Sequence, residues 1–208
     1  MSSKVVIVDR ANANINSLRN ALLYVGNCEV IVSSDPNEIK KSEFIVLAGV
    51  GAFGDGMADL RRKKLIETLS AEALDRKKPF LGICLGMQML FTSSSEKGIH
   101  RGLNFIQGSV DYLNLSREYR VPHVGWNDIQ YKKDVKIFDN LNSDKNFYFV
   151  HSFHAKCAEE NIIAKVNYEK NITAAVQSNN ILGFQFHPEK SQENGILLLE
   201  NFLSKNYF

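Results

Sequence analysis

The run Pro79-Phe80-Leu81-Gly82-Ile83-Cys84-Leu85-Gly86-Met87-Gln88 restricts the fold more than any other part of the chain. Residues 80–83 are short and apolar, as a strand buried on both faces requires. Residues 85–91 follow with no breaker except Gly86 and predict a helix. A strand that passes straight into a helix leaves one residue, Cys84, on a tight turn. The glycine two places to either side makes room for that turn. Such a side chain stands above the sheet edge, with the amide of Leu85 aimed at the same point. The N-terminus of the helix then favours a thiolate. A lone cysteine is by default a small buried hydrophobe. Flanking glycines in a strand–turn–helix setting favour a nucleophile instead.

The chain around this turn reads as alternating strands and helices. Residues 5–8 are a continuous β-branched run, typical of a parallel strand with both faces covered. Residues 9–16 are polar and turn-like. Ile15, Leu18, Leu22 and Val25 then recur at helical spacing, and Gly26-Asn27 closes that helix. Residues 29–32 are a second strand, Pro36 opens a short helix after Ser34-Asp35, and residues 44–48 are a third strand. A β-α-β-α-β order predicts a parallel, doubly wound sheet with right-handed crossovers. Residues 59–74 predict a helix with Ile66, Leu69 and Ala73 inward, and residues 92–102 a surface loop. Residues 103–115 and 128–137 read as short strands added antiparallel to the main sheet. Residues 146–151 are an aromatic strand. Residues 162–166, 173–177 and 181–186 form a meander, and residues 195–203 a closing helix with Ile196, Leu199 and Leu203 on one face. The expected fold class is α/β: a central mostly parallel sheet, helices on both faces and a small antiparallel extension. With 208 residues and neither a linker nor a repeat, residues 1–208 are expected to form one domain.

A nucleophilic cysteine needs a base. In Gly183-Phe184-Gln185-Phe186-His187-Pro188-Glu189-Lys190-Ser191 a strand delivers His187 to a loop, and Pro188 ends the strand. Glu189 is two residues on, within reach of the far ring nitrogen. There it would hold the tautomer and stabilise the imidazolium. The glycines of Gly49-Val50-Gly51-Ala52-Phe53-Gly54-Asp55 follow the third strand. They lack Gly-Lys-Ser/Thr and Rossmann spacing, so they do not bind nucleotide. This loop lies at the carboxyl ends of the strands, where open α/β sheets bind ligands, and is expected to aim a backbone amide at Cys84.

Other features are quieter. A net charge of +2 gives no reason to expect nucleic acid. Arg61-Arg62-Lys63-Lys64 reads as a solvated face balanced by Glu67, Glu72 and Asp75. Cys28, Cys84 and Cys157 are odd in number and scattered, which predicts reduced thiols in the cytoplasm rather than a disulfide framework. The N-terminus enters a strand at once, so no signal peptide is expected, and no apolar stretch has membrane-spanning length. His151 and His154 stand three apart, but no further residue joins them at ligand spacing, so no metal is expected. Trp126 reads by default as core.

Gly-Ile-Cys-Leu-Gly-Met-Gln and Phe-His-Pro-Glu-Lys-Ser resemble the class I, or triad, glutamine amidotransferases, which share a flavodoxin-like fold. Gly49-Val50-Gly51-Ala52-Phe53-Gly54-Asp55, Arg120-Val121-Pro122-His123-Val124-Gly125-Trp126-Asn127 and Tyr148-Phe149-Val150-His151-Ser152-Phe153 resemble the glutaminase subunit of imidazole glycerol phosphate synthase. The resemblance runs from residue 5 to the C-terminus. It implies hydrolysis of L-glutamine by Cys84, His187 and Glu189 without a cofactor. The oxyanion donors would be Leu85 and the Gly49-Val50-Gly51 loop. It further implies that Gln88, His151, Ser152 and Phe153 hold the substrate. Trp126, Tyr148 and Lys190 would face a (β/α)8-barrel cyclase partner that receives the ammonia. Two departures stand out: Ala48 replaces the family's Pro before Gly-Val-Gly, and residues 10–14 replace its Tyr-Gly-x-Gly-Asn. Both leave open a related subunit serving another synthase, for example in surface-sugar biosynthesis. A cysteine hydrolase of flavodoxin-type fold is a further alternative. Such proteins place the histidine directly after the cysteine, where this chain has Leu85. A non-catalytic scaffold is the third.

Overall fold

Val5, Val6, Ile7 and Val8 are all fully buried, with Val5 and Ile7 in one apolar cluster and Val6 and Val8 in another. Side chains alternate across a strand, so the two clusters are the two faces of one sheet. The computed structural model describes residues 3–10, 15–26, 28–205 and 207. Its elements in chain order are β1 (Ser3–Val8), α1 (Ile15–Val25), β2 (Cys28–Ser33), α2 (Pro36–Lys41), β3 (Phe44–Gly49), α3 (Phe53–Arg62) and α4 (Ile66–Ser70). Then come β4 (Phe80–Cys84), α5 (Leu85–Gln88), β5 (Phe91–Ser94), β6 (His100–Arg101), β7 (Ile106–Tyr112), β8 (His123–Tyr131) and β9 (Asn146–His151). The last are β10 (Phe153–Cys157), β11 (Ile162–Tyr168), β12 (Lys170–Ser178), β13 (Ile181–Phe184) and α6 (Gln192–Ser204).

Among the described residues the main sheet has nine strands, in the order β2-β1-β3-β4-β13-β12-β11-β8-β9. The first five pair in parallel, and β12, β11, β8 and β9 continue antiparallel. This is the expected α/β sheet with a longer extension than the sequence implied. Ile15, Leu18, Leu22, Leu198, Leu199 and Phe202 bring α1 and α6 onto one face. Ile39, Phe53, Met57, Leu60, Leu69 and Met87 bring α2 to α5 onto the other. Pro36 opens α2 as expected, and the Asp35 carboxylate accepts from the Asn37 amide at 2.8 Å. No helix among the described residues is long and apolar enough to cross a membrane.

Several local expectations are corrected. The helix expected over 59–74 begins at Phe53 and breaks at Lys64, whose φ of 55° ends α3 before α4 starts. Arg61 and Arg62 are exposed, but Glu72 does not balance them. It is 1% exposed and paired with Arg76 at 2.9 Å and Lys78 at 2.7 Å. The helix expected over 85–91 stops at Gln88. The carbonyls of Met89 and Leu90 accept from the amides of Leu103 and Phe105 instead, and Phe91 starts β5. The last strand of the meander ends at Phe184, two residues early. The strand expected over 103–115 does not join the main sheet. β7 lies in a second sheet of order β10-β7-β5-β6. The strand expected from 128 begins at His123. The turn over 9–16 and the helix end at Asn27 lie partly outside the described residues, as do residues 11–14 of the second departure. Gly26, just past α1, has a φ of +84°.

The two sheets meet at Ser152, the one residue between β9 in the first and β10 in the second. That seam faces the carboxyl ends of β3 and β4.

Candidate active site

Cys84 has φ 52° and ψ −110°, a conformation strained for any side chain. The glycines around it are required by close approach. A Cβ on Gly86 would lie 1.6 Å from the carbonyl oxygen of Leu47, and one on Gly82 would lie 2.7 Å from that of Gly86. The turn is therefore wedged between β3 and the start of α5. The register sets Cys84 beside Gly49 on β3. Cys84 is 6% exposed, with Val150 O and Gln185 Nε2 each 3.9 Å from its Sγ.

His187 follows β13, the parallel neighbour of β4. Its amide donates to the carbonyl of Tyr148 at 2.9 Å, and its own carbonyl accepts from Ser191 Oγ at 2.6 Å. Nδ1 is 2.8 Å from Oε1 of Glu189. Nε2 is buried and makes no hydrogen bond of regular geometry, although Cys84 is close enough to act on the ring. Burial opposes charge on His187. Hydrogen bonding to Cys84 and Glu189, with the field of both, outweighs it and raises the ring to about 10. The turn that carries Glu189 is held from behind by α6, where a Cβ on Gly195 would lie 1.9 Å from Pro188 O.

A cavity of about 290 Å³ opens over Cys84, bounded by Val50, Gly51, Leu85, Gln88, Glu96, Pro122 and residues 150–153. A second cavity, of about 20 Å³, lies between Ala48, Gly49, Val50, Ile83, His187 and Glu189. Val50 borders both, so the expected oxyanion loop stands between the nucleophile's pocket and the imidazole. Gly51 has a φ of +99°, and a Cβ on Gly49 would lie 2.2 Å from Nη1 of Arg10. Arg10 is 4% exposed, and burial lowers the pKa of its guanidinium. One of the two sequence departures, at Arg10, therefore touches the other side of the same loop.

The structure brings the other expected residues together in two groups. Gln88, His151, Ser152 and Phe153 line the cavity, and Gln88 Nε2 donates to Phe153 O at 3.0 Å and Gln185 Oε1 at 3.1 Å. Trp126, Tyr148 and Lys190 lie outside it. Trp126 is 54% exposed rather than core, its ring meets Tyr148 edge-on at 4.9 Å, and Lys190 Nζ sits 5.3 Å from the Tyr148 ring. His151 and His154 diverge, since His151 turns to His123 while neither ring nitrogen of His154 has a hydrogen-bond partner among the described residues. No metal-holding group of His, Cys, Asp or Glu occurs among the described residues.

Glu96 was missed. It supplies the acidic side chain of the cavity wall, and its Oε2 accepts from the amide of Phe53 at 2.7 Å, capping α3. Its serine-rich surroundings read as surface loop, and no local signal marks it. Gln185 reads in the sequence as an ordinary strand residue, and nothing beyond its motif marks His123.

The sequence matches the family Glutamine amidotransferase class-I over residues 6–206. The chain belongs to that family and is a glutamine amidotransferase. Among its relatives is imidazole glycerol phosphate synthase subunit HisH 2 of Vibrio vulnificus (strain YJ016), 47% identical over 200 residues, 96% of this chain and 94% of that one. The subunit HisH of Aquifex aeolicus (strain VF5) is 40% identical over 203 residues, 97% of each chain. Among solved structures, PurLQS from Thermotoga maritima superposes with TM-score 0.74 at 21% identity, covering 98% of this chain and 99% of that one. That likeness concerns the fold.

Proposed function

We propose that this chain is the glutaminase subunit of an imidazole glycerol phosphate synthase, acting in the cytoplasm. The observation that carries the reading is Cys84, strained on its turn at the floor of the cavity, with the His187–Glu189 pair beside it. Glutamine enters with its side-chain amide over Cys84. The carboxylate of Glu96 pairs with its α-ammonium, and Gln88 and the backbone of residues 151–153 hold its length. Gln88 Nε2 is already taken by two acceptors, which leaves Oε1 for the substrate.

The Sγ thiolate attacks the amide carbon. The carbonyl π electrons move to oxygen, and the amides of Leu85 and of the Gly49-Val50-Gly51 loop receive that oxyanion. His187 protonates the nitrogen, the C–N bond breaks and ammonia leaves a thioester. Water then attacks the thioester while His187 takes its proton. The C–S bond breaks, giving glutamate and the thiolate again. Glu189 holds the ring in place throughout and stabilises it whenever it is protonated. The ammonia passes to a (β/α)8-barrel cyclase docked on Trp126, Tyr148 and Lys190. There it would yield imidazole glycerol phosphate and an aminoimidazole carboxamide ribotide, a step of histidine biosynthesis.

The names and near-complete coverage of the relatives support this partner over another synthase. The test is labelling by a glutamine-analogue electrophile, together with two assays of the complex. Cys84 alone is expected to be modified. His187→Ala is expected to lose glutamine-dependent synthesis by roughly 10²–10⁴ while ammonia-dependent synthesis survives. Labelling at Cys157, or loss of both activities together, refutes the assignment.

A further inference from the structure

The inner face of β8 and β9 carries a line of polar side chains that this chemistry does not use. His123 and His151 are opposed cross-strand neighbours, and both are buried. Asn127 lies four residues further along β8, on the same face. Asn127 Nδ2 is 2.6 Å from His123 Nε2, and His123 Nδ1 is 3.0 Å from His151 Nε2. His151 Nδ1 is 2.9 Å from the carbonyl oxygen of Phe153.

The two ends have fixed roles, because an amide nitrogen only donates and a carbonyl oxygen only accepts. A neutral imidazole donates from one nitrogen and accepts at the other. One arrangement satisfies the whole line: Asn127 donates to His123, His123 to His151, and His151 to Phe153. Both rings then carry their proton on Nδ1. Burial keeps them neutral, lowering His123 to about 4 and His151 to about 3. The His123 ring is stacked on Phe149 at 4.9 Å and on Tyr168 at 4.1 Å, so it cannot turn freely. At the inner end, Phe153 O also accepts from Gln88, which bonds Gln185, whose amide nitrogen is 3.9 Å from Cys84 Sγ.

We propose that His123 is a positioning residue for glutamine: through His151 it orients the carbonyl of Phe153 and so fixes the cavity wall of Gln88 and residues 151–153. The proposal rests on the glutaminase reading. His123 itself borders no part of the cavity and touches no reacting atom. His123→Phe keeps a flat ring between Phe149 and Tyr168 but leaves His151 Nε2 buried without a donor. The Nδ1–H of His151 is then no longer enforced.

The experiment combines nitrogen NMR of the wild-type histidines with steady-state kinetics of His123→Phe. Both His123 and His151 are expected to be neutral Nδ1–H tautomers near neutral pH. The KM for glutamine is expected to rise roughly 5- to 100-fold, the range for an unmatched buried hydrogen-bonding group. The kcat should change much less. An Nε2–H tautomer at either ring overturns the relay even if the variant does not fold. An unchanged KM, or a loss confined to kcat, overturns the positioning role. A wild-type chain that turns over no glutamine, alone or with its partner, counts against the glutaminase reading instead.

Discussion

Nδ1 of His187 lies 2.8 Å from Oε1 of Glu189, and both side chains are 5% exposed. This contact is one reason the ring is raised from 6.5 to about 10 despite its burial. The sign follows from linkage. A raised folded-state value contributes stability that is complete below about 6.5 and is lost as pH climbs through about 10. In the proposed reaction the same proton is the one delivered to departing ammonia. Glutamine turnover should therefore hold across neutral pH and fall on an alkaline limb near 10. Glu189→Gln removes one cause of the raised value, so the limb should move down toward neutral. A pH–rate profile reads this directly. A limb that stays in place belongs to another group.

The loop after β3 should act through its backbone. Gly51 has a φ of +99° and nothing within 4 Å of an added Cβ, so Gly51→Ala is strained by conformation alone. Turning that peptide withdraws one oxyanion donor, a loss of about 10²–10³ in kcat with KM little changed. Steady-state kinetics decide it. A kcat equal to wild type places the second donor elsewhere.

Gly86→Ala should act on the fold. Its Cβ would meet the Leu47 carbonyl at 1.6 Å, and β3 backbone cannot give way as a side chain would. Forcing such a contact costs about 1–3 kcal/mol or more. Denaturant unfolding measures it, and an unchanged midpoint would contradict the close approach of α5 to β3.

Coupling to the partner is the fourth expectation. Val124 and Trp126 are 55% and 54% exposed on the outer face of β8, opposite the histidine relay. A subunit that hydrolysed glutamine unprompted would waste it. Turnover should be slow for the chain alone, faster with the barrel partner and fastest with the partner and its nucleotide substrate. Trp126→Ala should weaken the complex at least about tenfold, as a central aromatic anchor does. Equal turnover in all three conditions would favour a free-standing hydrolase.

The parts legible in the sequence are those whose cause lies within a few residues. The 5–8 run reads as a buried strand because four apolar side chains in a row need cover on both faces. Gly82 and Gly86 announce the strained turn at Cys84, and Glu189 follows His187 closely enough to reach its ring. The family motifs are built on these same short pieces, so the family was readable before the fold.

What the tertiary structure alone decided is made by contacts distant in sequence. Glu96 reaches Phe53 across 43 residues, His151 meets His123 across 28, and Gln88 bonds Phe153 across 65. Neither hydrophobic period nor turn chemistry encodes such a meeting, because each partner's own neighbourhood is ordinary. The helix after Cys84 failed for the same reason. Its outgoing carbonyls found the amides of Leu103 and Phe105, and a hydrogen bond from a packed segment displaced the local helical one. The proposed nucleophile and base, Cys84 and His187, are written locally. The pocket that gives them a substrate exists only where β9 leaves one sheet at Ser152 and β10 enters the other.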